Sequence, residues 1–562
     1  MSTVHGSTVM VAADGRARMA RRTASRGDRI DEAARVRWGW DRLRPPQREA
    51  IEAALEGRDV LAVMPTGSGK SAIYQVAATL VPGITVVVSP LIALQQDQLA
   101  GIEDAPDAPR ATVINSHVPA GRLEESWRDI EAGEIEYVLL APEQLVKEDV
   151  LARLKRAEVS LLAIDEAHCV SVWGHDFRPD YLELGTARRA LGNPPVIALT
   201  ATGSAPVRDD IIARLGMNDP LVIATGFDRR NIRLSVERHT TASESRQAVL
   251  DDIVALPKPG LLYVATRADT TRYAEALEEL GITALGYHGG MSARDRKRAH
   301  ERFRDDEVEV VVATAAFGMG IDKPNVRFVV HAAVPDSLDA YYQEVGRSGR
   351  DGQDAQARLH YRPEDLGLRR FFAAKNPSAG QLRRVIGTLQ YADAVVSVAD
   401  LAERLELTRR RVGGLLDLVE QAGRLRRSAR GVRLRAGADV EEVVAEAIAA
   451  AEQRERIDGS RIEMMRGYAE TDRCRREVLL AYFGEEFTPP CDRCDVCERG
   501  SGPEHHEADG PFAVQSAVRH ALWGDGTVMS TEDDRITVYF EAEGYKVLSL
   551  DAIEEHDLLE QV

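Results

Sequence analysis

The chain has 562 residues, of which 44% are hydrophobic and 29% charged, and a formal net charge of −18. That length is too great for one core and calls for about three to five domains. No apolar run reaches the ~18 residues of a membrane span, so no membrane partner is expected; the acidic balance argues against a general nucleic-acid binder and leaves only a local basic face for that role.

Residues 1–29 carry six Arg, two Asp and no apolar segment, which reads as a disordered basic tail rather than a secretory signal, with Met19 an alternative start. From about residue 30 to 365, short β-branched runs alternate with helical patterns: "ITVVVSP" (84–90), "YVLLAP" (137–142), "LLAIDEAH" (161–168) and "VIALTAT" (196–202), then, past a break near "ATGFDRRNIR" (224–233), "GLLYVAT" (260–266), "VEVVVATAAF" (308–317) and "VRFVVHAAV" (326–334). Continuous apolar strands between helices predict parallel sheets covered on both faces. Two α/β lobes follow, 30–225 and 226–365, with a cleft between them.

Within the first lobe, "VMPTGSGKSAIY" (63–74) follows a strand and opens a helix. The N–H groups of Gly67, Ser68 and Gly69 can face a phosphate because glycine lets the backbone approach. Lys70 suits the β/γ-phosphates of ATP and the Ser71 hydroxyl suits Mg2+. The general loop pattern wants a further Gly where this chain has Met64. Asp165 and Glu166 end a buried strand, where open α/β sheets bind ligands; Asp165 can complete the Mg2+ shell and Glu166 can orient and deprotonate water. In the second lobe, "YYQEVGRSGRDG" (341–352) offers Arg347 and Arg350, read as one helical face that supplies charge to the γ-phosphate.

Residues 366–436 read as a helical linker and a winged helix-turn-helix, with "RLRRSARGVRLR" (424–435) as the wing. Segment 408–435 holds nine Arg, among them Arg409, Arg410, Arg411, Arg426 and Arg427, against two acidic residues. That suits phosphate contacts to duplex DNA. Residues 437–499 form a helical unit in which Cys474, Cys491, Cys494 and Cys497 are spaced C-x16-C-x2-C-x2-C. Four thiolates close a tetrahedral Zn2+ site whose role is structural, in a reducing cytosol. A polar linker (500–511) leads to short strands in 512–562, read as a small β-barrel.

These motifs, in this order, resemble the RecQ family of DNA helicases. The carrying residues are "WGWDRLRPPQ" (38–47), "MPTGSGKS" (64–71), "VVSPLIALQQDQ" (87–98), "DEAHCVSVWGHDFRPDY" (165–181), "ALTATG" (198–203), "ATAAFGMGIDKPNVRFVVH" (313–331) and "QEVGRSGRDG" (343–352), and the likeness resumes at the cysteines. The resemblance implies two RecA-like motor lobes, and an ATPase moving 3′→5′ on single-stranded DNA and unwinding duplexes in repair or recombination, in the cytoplasm with the nucleoid. It implies that Trp40, Arg44 and Gln47 grip adenine, that Thr200 and Thr202, with His168, couple hydrolysis to lobe movement, and that Trp173, His175, Phe177 and Arg178 form an aromatic loop on single-stranded DNA. The chain departs from the usual family order, because the winged-helix candidate precedes the zinc unit. An RNA helicase is the rival within the enzyme class. Residues 517–551 resemble the Tudor-like barrel that ends UvrD/PcrA-type helicases, which implies contact with RNA polymerase or another protein and a transcription-coupled alternative; a barrel simply packed on the zinc region is the plainer reading.

Overall fold

The computed structural model describes residues 25–115, 118–171, 178–224, 226–318, 323–367, 377–392, 395–428, 431–435, 437, 439–500, 512–513, 516–531, 534–540 and 543–562. The apolar runs of the first lobe become strands β1 (Val60–Val63), β2 (Ile84–Val88), β3 (Ala111–Ile114), β4 (Tyr137–Leu140), β5 (Val159–Ile164), β6 (Val196–Thr200) and β7 (Leu221–Ala224). They pair in parallel in the order β3-β4-β2-β5-β6-β1-β7. Strands β1, β2, β4 and β6 are buried along their whole length, as parallel strands covered by helices on both faces must be. Helices α1 (Arg26–Trp38), α2 (Pro45–Leu55) and α3 (Ser71–Leu80) cover one face.

Residues 26–29 of the segment expected to be a tail are helical. Residues 1–24 lie outside the described residues, and α1 already begins at Arg26. There the Ser25 hydroxyl accepts from the Asp28 N–H while the Asp28 carboxylate accepts from the Ser25 N–H. This reciprocal cap satisfies two orphan donors of the first turn, which the arginine content of the segment obscures.

The second lobe contains β8 (Ile232–Arg238), β9 (Gly260–Tyr263), β10 (Ala284–Tyr287), β11 (Val310–Ala313), β12 (Phe328–His331) and β13 (Ala355–Tyr361), all parallel, in the order β10-β11-β9-β12-β13-β8. Helix α4 (Leu338–Val345) stops at Gly346, so Arg347 and Arg350 lie in the turns beyond it, not on a helical face as expected. Gly349, at φ +57°, takes a left-handed conformation that a continuing helix excludes.

Helices α5 (Ala379–Gln390), α6 (Val398–Leu405) and α7 (Arg409–Gln421), with the hairpin β14 (Leu425–Ser428)–β15 (Gly431–Leu434), surround a separate core that includes Leu382, Leu401, Leu416 and Val432. Ser378, Ser397 and Thr408 cap the three helices through their hydroxyls. Helix α8 (Val440–Glu470) runs for 31 residues. Its first half places Val443, Val444 and Ala447 in this winged-helix core, and its second half places Ile457, Met465 and Tyr468 in the motor core.

Helix α9 (Arg475–Tyr482) and the cysteine loops return to the second lobe, where Leu234 of β8 pairs with Cys494. The chain ends in β16 (Ala517–His520), β17 (Gly524–Thr531), β18 (Arg535–Phe540), β19 (Gly544–Ser549) and β20 (Leu559–Gln561). These form an antiparallel sheet in the order β19-β18-β17-β16-β20 around Val518, Val528, Val538 and Phe540. Among the described residues the pairing leaves β19 and β20 as edges, so the expected barrel is an open sheet in its hydrogen bonding.

Candidate functional site

The phosphate loop joins β1 to α3. Gly67 and Gly69 have φ of +79° and +77°, which only glycine adopts without strain. Lys70 Nζ donates to the carbonyls of Met64 (2.9 Å) and Pro65 (3.3 Å), which folds the lysine over the loop. Ser68 Oγ is buried with no hydrogen-bond partner among the described residues. An orphaned hydroxyl beside glycine N–H groups and a lysine fits a phosphate ligand. Gln47 braces the loop: its Oε1 accepts from Arg44 N (2.8 Å), and its Nε2 donates to Ser68 O (3.0 Å) and Gly69 O (2.9 Å). Both ends of the amide that was expected to read adenine are thus engaged with backbone. Trp40 stacks on Trp38 at 5.3 Å, and Trp38 meets the edge of Tyr137. Arg44 is exposed at the start of α2.

Asp165 leaves the end of β5 beside this loop. Its carboxylate accepts from Gln98 Nε2 (2.7 Å) and from the Glu166 N–H (2.9 Å), and its carbonyl accepts from the Tyr181 hydroxyl (3.2 Å). Burial raises the Asp165 pKa, the Glu166 charge adds to the rise, and Lys70 opposes it. Burial likewise lowers the Lys70 pKa, Glu166 and Asp165 pull it back up, and Arg350 lowers it further. Lys70, the two acids and the arginine of the other lobe therefore share one electrostatic field. A divalent cation is the natural addition to it, because it would relieve the repulsion between two adjacent carboxylates. Ser71 opens α3 next to them.

Glu166 sits at φ +49°, a strained position for a non-glycine residue at the turn after β5. His168 Nδ1 lies 2.9 Å from Thr200 Oγ1 and 3.4 Å from Glu166 Oε2. The Thr200 hydroxyl donates to Thr202 O (2.8 Å). With its proton used there, Thr200 Oγ1 accepts from His168, which assigns the proton to Nδ1. His168 thus bonds to the "TAT" segment after β6 while lying within ion-pair distance of Glu166 after β5.

Across the cleft, the Arg350 side chain reaches the loop, its Cγ and Cδ each 3.7 Å from where a Cβ on Gly67 would stand. Arg347 is buried deeper in its own lobe, near Gly318 and Tyr263. The two arginines therefore do not occupy equivalent positions.

The four cysteine sulfurs lie within 4.8 Å of one another, with Cys491 and Cys497 Sγ 3.9 Å apart. Four thiolates and no open position fit a structural zinc ion. Arg475, fully buried, locks the unit by pairing with Asp495 (2.9 Å).

Trp173, His175 and Phe177 lie outside the described residues. Arg178 donates to the Pro90 carbonyl (3.0 Å), which attaches the end of that loop to the segment after β2. Arg409, Arg410 and Arg411 are exposed in the first turn of α7. Three cations at a positive helix end are unfavourable by themselves and favour an anionic partner. The rest of the basic segment is partly neutralised within the molecule: Arg424 pairs with Glu442 and Glu446, Arg426 with Glu148 and Arg435 with Glu183. The side chain of Arg427 lies outside the described residues.

Sequence reasoning missed Gln98 and Tyr181, although both lie in the stretches quoted above. It also missed Ser204, Asp339, Tyr482 and Tyr545, for which no local signal exists.

Comparison with known proteins agrees with this geometry. Residues 44–210 match the family described as DEAD/DEAH box helicase, 245–352 the helicase conserved C-terminal domain, and 437–498 RecQ zinc-binding. The chain is 33% identical over 469 residues to the probable ATP-dependent DNA helicase RecS of Bacillus subtilis, covering 82% of this chain and 90% of that one. The chain belongs to the RecQ family. It is also 33% identical over 466 residues to the ATP-dependent DNA helicase RecQ of Pasteurella multocida, of which it spans 61%. The crystal structure of the DUF1998 helicase MrfA bound to DNA shares the fold, with a TM-score of 0.52 and 15% identity over 75% of this chain and 64% of that one. Residues 514–555 match a family described as a protein of unknown function (DUF3553). In this chain the three-helix unit with its hairpin lies between the segments matched to the helicase C-terminal domain and to RecQ zinc-binding. Among the described residues no helix is long and apolar enough to cross a membrane.

Proposed function

We propose that the chain is an ATP-driven DNA helicase that translocates 3′→5′ along single-stranded DNA and separates duplex ahead of it. The observation that carries this reading is the approach of Arg350 from the second lobe to Gly67 of the phosphate loop, beside Lys70, Asp165 and Glu166. A charge supplied across a cleft makes hydrolysis depend on lobe closure. Lys70 and the loop amides would hold the β/γ-phosphates, Glu166 would position and deprotonate water, and Arg350, backed by Arg347, would stabilise the phosphoryl group in transfer. Mg2+, held by Ser71 and Asp165, would supply charge to the phosphates. Movement of Glu166 would reach Thr200 and Thr202 through His168, which links hydrolysis to the lobe interface. Trp40 and Arg44 would flank adenine, with Gln47 holding the loop beneath.

The aromatic loop Trp173–Phe177 would stack on unpaired bases, and Arg409, Arg410, Arg411 and Arg426 would contact duplex phosphates, with Arg427 on the same wing. The zinc unit closes with no open ligand position, and its part is structural. An RNA substrate is the weaker reading, since the relatives named above are DNA helicases. Nucleoid association, a role in repair or recombination and a contact of 512–562 with RNA polymerase belong to this proposal and rest on resemblance alone.

Strand separation tests it, using 3′-tailed and 5′-tailed DNA duplexes and a 3′-tailed RNA duplex, with Lys70→Ala as control. The expected result is unwinding of the 3′-tailed DNA alone, abolished in the variant. ATPase activity without DNA stimulation would defeat the motor reading.

A further inference from the structure

The C-terminal sheet reaches into the junction of the two lobes. Tyr545 of β19, 8% exposed, places its hydroxyl 3.0 Å from Ser204 Oγ, in the segment that follows Thr200 and Thr202. The same hydroxyl lies 3.5 Å from that of Tyr482 at the end of α9, and Tyr482 donates to the Asp339 carboxylate in the first turn of α4. Ser204, Asp339 and Tyr482 are themselves buried. Four parts of the chain, distant in sequence, therefore close one hydrogen-bonded path: first lobe, terminal sheet, zinc unit, second lobe.

Both ends of the path lead to groups that the proposed reaction uses. On the first-lobe side, Ser204 is two residues from Thr202, which is bonded through Thr200 to His168. On the second-lobe side, α4 runs directly from Asp339 into the turns that carry Arg347 and Arg350. Neighbouring contacts fix the seat of the tyrosine. Gly544, at φ +76°, presses on Ser460 of α8 so closely that a Cβ would collide with it. Arg456 of α8 pairs with Glu543 (3.4 Å), and the Tyr545 ring packs on Tyr482 and Tyr539. A second tie runs alongside: Arg208 of the first lobe donates to Gly203 O (3.1 Å) and to Phe483 O (3.2 Å) of the zinc unit.

We infer that Tyr545 is a positioning residue of the motor, and that the C-terminal sheet is an internal strut between the lobes. Its hydroxyl holds the segment after β6 in register with the helix that presents the second-lobe arginines. Burial makes the arrangement demanding: each hydroxyl in the path is screened from water, so a missing partner is not replaced. The inference rests on the proposed motor reading, and it gives a concrete part to a module whose matching family has no described function.

The test uses the full chain with Tyr545→Phe, Ser204→Ala and the double variant. DNA-stimulated ATPase is measured against ATP concentration, together with thermal midpoints. Phenylalanine keeps the ring packing and removes only the hydroxyl. The expected result is a fall in kcat of about fivefold for each single variant, the size of one buried hydrogen bond, with KM for ATP unchanged and the thermal midpoint lowered by no more than about 2 °C, the shift that one hydrogen bond makes in a chain of this size. The double variant should fall no further than the singles, because both remove the same link. A Tyr545→Phe kcat equal to that of the wild type overturns the inference. So does a loss accompanied by a midpoint lowered by more than about 5 °C, which marks a purely structural role, and so do single losses that multiply in the double variant. If the unmodified chain shows no DNA-stimulated ATPase, the motor reading fails, and that outcome is distinct from a failure of the strut alone.

Discussion

The winged helix and the zinc unit with its terminal sheet are both additions to the motor, yet they are attached by different physics. The winged helix has its own core and meets the first lobe through exposed ion pairs such as Arg435–Glu183, whose side chains are 50% and 44% exposed. The zinc unit and the sheet share one continuous apolar core with both lobes, in which Phe483 stacks on Phe227 at 4.8 Å and Arg476, 4% exposed, pairs with Asp228. Exposed pairs contribute little to stability, whereas buried aromatic contacts and buried ion pairs are costly to break. One addition keeps a core of its own and touches the first lobe at exposed pairs; the other is part of the motor core.

Zinc removal is the most severe way to break this contrast. Chelation should lower the unfolding midpoint of the entire motor, not only release a small domain, and calorimetry should record one transition moving rather than a new low-temperature one. Phe483→Ala comes next, with an expected loss of about 3–5 kcal/mol in denaturant unfolding. Arg476→Ala should cost a similar amount, about 3–5 kcal/mol, because Asp228 is then left as an uncompensated buried charge. Arg435→Ala should change stability by less than about 1 kcal/mol. Replacing Arg409, Arg410 and Arg411 together by Ala should leave stability unchanged within ~0.5 kcal/mol. It should nevertheless flatten the salt dependence of duplex binding by about one unit of slope for each phosphate that is no longer neutralised. A large stability loss in either surface variant would mean that the winged helix is as integral as the sheet.

The two lobes were legible because buried parallel strands leave an unmistakable apolar run, and the phosphate loop because glycine and lysine have few other reasons to share that spacing. The wing was legible from helical spacing and local charge, but its charge was overcounted, since Arg424 and Arg435 find acidic partners far along the chain. The placement of Arg347 and Arg350 off the helix turned on Gly346 and Gly349, which end α4 before either arginine. Gln47 looked free to read adenine because its backbone partners in the loop become neighbours only on folding. The Ser204–Tyr545 contact spans 341 positions in sequence and leaves no periodic trace. Such contacts arise from packing between domains, which no window of neighbouring residues records.

Helix α8 carries a mechanical consequence. At 1.5 Å per residue its 31 residues form a rod about 45 Å long. One end is embedded with the second lobe, where Tyr468 packs on Tyr341, and the other end with the winged helix. A rod clamped at one end magnifies angle into travel: a tilt of about 5° in the second lobe sweeps the far tip by about 4 Å, roughly the rise of one nucleotide along a DNA strand. The arginines of α7 would ride on that tip like the needle of a gauge.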